Sequence, residues 1–271
     1  MKIVSKGNTI STPEFRTKKM KARRKHLSLV WGLSAFLLVA FIAALHLTAL
    51  RIQSVSVTGA DATGADAVEN IIRQEISGSY LWIFPKNSAL LYPERVIEAK
   101  LLATFPRLSV ADVSLDGLST LAVDVLEREP FALYCASACS FLDESGFIFD
   151  KAPTFSDGVY FIYTDMRREP KVLGEAFLPT EAFAALAAFV RKIHNLGITP
   201  VSLAMYEDRN TLLLTTGATL LWQEGVDVNG VYADLEAFLG SEAIQAETNF
   251  WGRVVEVDLR TPNKVFYRFR E

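Results

Sequence analysis

Residues 27 to 50 carry no Asp, Glu, Lys or Arg and consist largely of Leu, Ala, Val, Phe and Ile. A helix rises 1.5 Å per residue, so this run exceeds the ~30 Å of hydrocarbon in a bilayer and predicts one transmembrane helix over 27–50. A cleaved signal peptide would carry a shorter apolar core, roughly 7 to 15 residues, followed by a small-x-small cleavage site. Here His46, Leu47 and Leu50 occupy that exit, so an uncleaved anchor in the lipid bilayer is expected. His46 is the only ionisable group in the run and lies near its end, where an imidazole reaches the interface at small cost.

The net charge of −3 hides an uneven distribution. Nine of the 28 basic residues, among them Lys18, Lys19, Lys21, Arg23, Arg24 and Lys25, precede the apolar run, against Glu14 alone. Subtraction leaves 19 basic residues facing 30 acidic ones downstream. Basic residues stay on the cytoplasmic side, so residues 1–26 read as a cytoplasmic tail and the remainder as exported: a single-pass protein of the cell (inner) membrane. Beside an anchor, such a tail serves topology and attraction to anionic lipid, and no nucleic-acid partner is inferred from it.

The pattern changes near residue 130. Residues 51–129 read as strand, helix, helix, strand, strand. Ile52, Val55 and Val57 alternate up to Gly59, and Ala65 to Ser77 places Val68, Ile71, Ile72 and Ile76 on one face. Pro93 opens a second helix that Phe105-Pro106 stops. Strands over Leu108–Leu115 and Ser119–Arg128 follow, with a turn at Asp116-Gly117. Residues 130–271 read as a mainly antiparallel β domain with two helices: one N-capped by Thr180 and stopped at Gly197, the other at about Asn229 to Leu239. The last strands span Arg253–Leu259 and Lys264–Arg270. The class is α+β.

Catalytic patterns are missing: the sequence has no phosphate-binding Gly-rich loop, HExxH or GxSxG, and three histidines in all. His194 near a helix end suits the dipole better than a general base. Glu127, Glu129, Asp143 and Glu144 form a carboxylate cluster that strand-end solvation explains more simply than acid/base work. Nothing calls for a cofactor or metal, and no enzymatic activity is expected. Cys135 and Cys139 supply at most half of a zinc site. In an exported hairpin they suit a disulfide, worth about 2 kcal/mol in the chain-entropy model, with a redox-active pair as the alternative.

Four stretches together resemble the FtsQ/DivIB family of bacterial cell-division proteins. Ile52, Val55, Val57 and Gly59 are similar to the opening of the family's POTRA domain. Phe105-Pro106 and the strand ending Glu127-Arg128-Glu129-Pro130 resemble its close. Phe141 to Phe149 resembles the hydrophobic-Asp-x-x-Gly segment of the second domain, and Val255-Glu256-Val257-Asp258-Leu259-Arg260 its V/I-DLR strand. Leu118, Thr261 and the cysteine pair depart from the usual pattern.

The resemblance implies a non-enzymatic divisome scaffold that recruits and links membrane-anchored division proteins of the FtsB/FtsL type at the septum. It also implies partner binding at the final strand, by Val265, Phe266, Tyr267, Arg268 and Phe269. Alternation would put Val265, Tyr267 and Phe269 on one face, and Phe266, Arg268 and Arg270 on the other. Without the resemblance, Lys264 to Arg270 reads as an edge strand blunted by cations. An anchored cell-wall hydrolase or peptidase and an envelope sensor are the competing functions.

Overall fold

The computed structural model describes residues 13–154, 158–167 and 169–270, with side chains from residue 26 onward. Residues 1–12, Glu271 and the side chains of the basic cluster Lys18 to Lys25 lie outside it. Helix α1, Pro13–Leu45, runs from the tail through the apolar segment without a break. Its portion His26–Leu45, 20 residues of mean hydropathy 2.3, is long and apolar enough to cross a membrane, and it is exposed along nearly all its length, with Leu45 at its end buried. This corrects the upper limit of 50. The α-helix stops at Leu45, and Thr48–Leu50 form a separate 3-10 turn. The cause is tertiary: the buried Leu45 and the His46 ring, 3.0 Å from the Ile83 carbonyl oxygen, commit the chain to folded structure five residues early.

The chain forms two compact units. The first comprises Met1–Thr58, Asp66–Glu98 and Asp112–Asp124; the second comprises Gly59–Ala65, Ala99–Ala111 and Val125–Glu271. The strand-helix-helix-strand-strand order is present as β1 (Ser54–Thr58), α2 (Ala65–Glu75), α3 (Glu94–Thr104), β4 (Leu108–Asp116) and β5 (Thr120–Glu127), the strands arranged β1-β5-β4 with β1 parallel to β5. To permit that parallel neighbour, the chain crosses over through α2 and α3. Between those helices lies a hairpin that sequence patterning missed, here called the tip hairpin: β2 (Ser79–Tyr80) and β3 (Phe84–Pro85). Gly59, with φ +80°, is required where it stands, because a Cβ there would collide with the Val125 carbonyl oxygen.

Most of the second unit is one sheet of order β14-β13-β12-β11-β10-β9-β6-β7-β8. Its strands are β6 (Ala132–Cys135), β7 (Cys139–Leu142), β8 (Ile148–Lys151), β9 (Ile162–Asp165), β10 (Pro200–Met205), β11 (Arg209–Leu214), β12 (Thr219–Gln223), β13 (Val254–Thr261) and β14 (Lys264–Phe269). Pairing is mainly antiparallel, but β6/β9, β9/β10 and β12/β13 are parallel. Helix α4 (Thr180–His194) carries the β9–β10 crossover, and α5 (Val228–Leu239), α6 (Glu242–Gln245) and α7 (Phe250–Arg253) carry the β12–β13 one. The two expected helices are α4 and α5; the one-turn α6 and α7 are too short for periodicity to reveal. Pro179, not Thr180, caps α4, and no side-chain hydrogen bond closes that end.

The motif around Asp143 is a turn-building device. Asp143 Oδ1 accepts from the Ser145 amide (2.8 Å), the Ser145 hydroxyl (2.6 Å) and the Phe147 amide (3.0 Å), while Arg128 Nη1 donates to Oδ2 at 2.5 Å. A Cβ at Gly146 (φ +81°) would lie 2.6 Å from the Phe183 ring, so glycine is what lets the turn lie against α4. Burial pushes the Asp143 carboxyl up, but the Ser145, Phe147 and Arg128 donors outweigh it and hold the group below its ordinary value. A depressed carboxylate stabilises the fold above its unfolded pKa of about 3.9 and loses that contribution as pH falls through the folded value. Asp143→Asn is therefore expected to destabilise by roughly 1–3 kcal/mol at neutral pH. In thermal melts recorded across pH, the gap from wild type closes as pH drops below that unfolded value.

A candidate partner-binding edge

The two ends of the nine-stranded sheet differ. Along β8, Ile148 donates to the Glu175 carbonyl (2.9 Å) and accepts from the Gly174 amide (2.8 Å), and Phe147 bridges to Ala176, so residues 174–176 cover that edge. At the opposite end β14 pairs with β13, and among the described residues no strand pairs with its outer side.

Register shows which way each β14 side chain points. Tyr163, Leu203, Leu212, Leu220, Val257 and Tyr267 lie opposite one another strand by strand; the first five are buried in the main core, and Tyr267 ends the row. Tyr267 sets its ring at a tilt to Phe238 of α5 (5.7 Å) and edge-on to Phe250 of α7 (5.7 Å). Phe269 lies 5.9 Å from Phe250 and under the Arg253 guanidinium at 4.6 Å, and Val265 packs on the same core. These three side chains therefore face α5 and α7.

Phe266 and Arg268 take the opposite face. Phe266 stands across from Asp258, in a row with Leu221, Thr211 and Ala204, and is 57% exposed. Arg268 stands across from Glu256, with its guanidinium 3.9 Å from that carboxylate, too long for a strong pair. Arg270 is occupied: its Nη2 donates to the Thr216 carbonyl at 2.6 Å. Of the five residues expected to bind a partner, the fold thus presents Phe266 and Arg268 on the outer face and turns Val265, Tyr267 and Phe269 towards the helices, where Tyr267 stays 42% exposed.

The Asp258-Leu259-Arg260 motif is explained by the same alternation. Leu259 is buried, while Asp258 and Arg260 share the outer face as a bidentate pair, Nε–Oδ1 2.9 Å and Nη2–Oδ2 2.7 Å. The Arg260 hydrogen bonds hold the Asp258 carboxyl below its ordinary value despite partial burial. The pair lies one strand inside Phe266, and no spacing rule applied to a single strand would have placed it there.

The other expected sites fall elsewhere in the second unit. Cys135 and Cys139 are opposite each other in the β6–β7 hairpin and are joined, with Cα atoms 4.1 Å apart. Of the carboxylate cluster, Glu127 accepts from the Ala62 and Thr63 amides (2.7–3.1 Å) and Asp143 builds its turn, so two of the four are committed to backbone.

No family model matches the chain. Over 130 residues it is 33% identical to the cell division protein FtsQ of Streptomyces bingchenggensis (strain BCW-1), a match covering 46% of this chain and 48% of that protein. The chain is similar to FtsQ. It spans about half the length of that relative, and one helix long and apolar enough for a bilayer fits a single-pass membrane protein.

Opposite orientation makes the β14 aromatics separable by mutation. Phe269→Ala is expected to cost roughly 1–3 kcal/mol through lost packing, whereas Phe266→Ala stays within about 0.5 kcal/mol of wild type, both measured by denaturant unfolding. The cysteines are expected to resist alkylation in envelope-derived protein until a reductant is added.

Proposed function

We propose that this protein is a non-enzymatic divisome scaffold of the FtsQ kind, which binds a membrane-anchored division partner of the FtsB/FtsL type along the outer side of β14. In this reading residues 1–26 lie in the cytoplasm, 51–129 form a POTRA-like recruitment domain and 130–271 the partner-binding domain, both outside the cell membrane. The charge asymmetry about α1 supports that orientation.

The observation that carries the proposal is an open strand edge with a large apolar side chain and a loosely paired cation beside it. An added strand would gain four or five backbone hydrogen bonds at roughly 1 kcal/mol net each, short of the ~8 kcal/mol that micromolar binding requires. Phe266 as apolar anchor and Arg268 pairing with a partner carboxylate would supply the remainder. Support for a non-enzymatic role comes from Glu127 and Asp143, which are engaged in holding backbone.

Phe266→Ala combined with Arg268→Ala is expected to reduce partner co-purification at least tenfold while leaving membrane insertion and the thermal melt unchanged. Recovery equal to wild type refutes the edge. Depletion of the protein is expected to give filamentous or chained cells; normal septation with altered wall chemistry would favour a hydrolase instead.

A further inference from the structure

The tip hairpin spends its turn on side chains that its own unit does not use. Ile83 N donates to the Tyr80 carbonyl across Leu81 and Trp82, whose φ values are +49° and +67°. Positive φ at both central residues defines the hairpin turn that favours Asn-Gly, because any larger side chain is crowded there. This turn carries Leu-Trp instead, and leaves Leu81 79% and Trp82 98% exposed. A strained turn displaying two large apolar groups to solvent needs a surface to receive them.

Location identifies that surface. His46, the residue after α1, has its Nε2 3.0 Å from the Ile83 carbonyl oxygen, and Arg51 Nη2 lies 3.4 Å from His46 Nδ1. Ile52 N donates to Asn87 O and Ala89 N to Leu50 O, both at 2.8 Å. These bonds, all within the first unit, hold the tip at the level where α1 ends. Leu47 and Leu90, also exposed, lie on the two segments those bonds join, and Lys86 sits 5.4 Å over the Tyr80 ring. Exposed Trp and Tyr with Lys and Arg at the end of an apolar helix match the composition of a membrane–water interface.

We propose that the tip hairpin is a membrane anchor: Leu81 and Trp82 insert into the headgroup and upper acyl region of the leaflet from which α1 emerges, giving the first unit a second attachment to the bilayer. The inference rests on α1 crossing the membrane and is independent of the division role.

The test uses the full chain at one copy per lipid nanodisc. The native cysteines are paired, so Trp82→Cys introduces a single site for the environment-sensitive fluorophore NBD, with Leu81→Cys as a second tip position. Asp66→Cys, exposed at the start of α2 beyond the far end of β1, is the aqueous control, and Leu37→Cys reports insertion of α1 itself. At the tip, emission is expected to shift to the blue relative to Asp66→Cys, to be lost with lipid spin-labelled near the top of its acyl chain, and to resist aqueous iodide. Iodide quenching at both tip positions equal to that at Asp66→Cys overturns the proposal, as does shielding from both quenchers, which would mean that protein covers the tip. Quenching of Leu37→Cys by aqueous iodide would instead show that α1 has not inserted, so the two failures are distinguishable.

Discussion

The nine-stranded sheet buries one face, and the character of its remaining surfaces follows from that. Tyr163, Leu203, Leu212 and Leu220 form a transverse row in the main core, together with Phe183, Leu186 and Phe189 of α4 and Val231 and Leu235 of α5, and apolar burial at roughly 25 cal/mol per Å2 stabilises that core. Strand alternation then leaves each intervening residue on the other face. Near β6–β8 that other face is covered by its own small cluster, Leu133, Phe141 and Phe149; towards β14 it carries Ala204, Thr211, Leu221, Asp258 and Phe266. Among the described residues the edge is thus covered at β8 and unpaired at β14, and the outer-face row runs from the buried Leu221 to the exposed Phe266.

Residues that carry the family resemblance mostly turn out to shape the backbone. Asp143 gathers three donors into a turn and engages Arg128, Gly146 admits the Phe183 ring, and Gly59 avoids a carbonyl oxygen. Each residue type is dictated by a local steric or hydrogen-bonding requirement, which accounts for their appearance as short motifs. Their chemistry is that of folding, and a site for partners must be sought in side chains the fold leaves unspent. Phe266 and the loosely paired Arg268 come nearest to that description in the second unit, as Leu81 and Trp82 do in the first.

The two proposed sites would suit different surroundings. An unpaired strand edge offers directional backbone groups, which another chain can satisfy and a lipid tail cannot. A hydrophobic turn tied to a helix exit offers shape and apolar area, which suits an interface of loosely ordered lipid.

From sequence alone, the long apolar helix, the charge asymmetry, the βααββ order, the two long helices of the second region and the alternation along β14 could all be read, because each depends on periodicity or composition within a single segment. Only the tertiary structure decided where α1 stops, since the signal is a contact between His46 and Ile83, far apart in the chain. The tip hairpin escaped for the same reason: its strands are two residues each, and Leu-Trp is a poor turn signal until the φ values are known. Three-dimensional placement also separated the five expected edge residues into two outward and three inward, because which face of β14 is buried depends on α5 and α7, supplied by another part of the chain. Alternation along a strand defines two faces, but only packing against a helix determines which of them remains exposed.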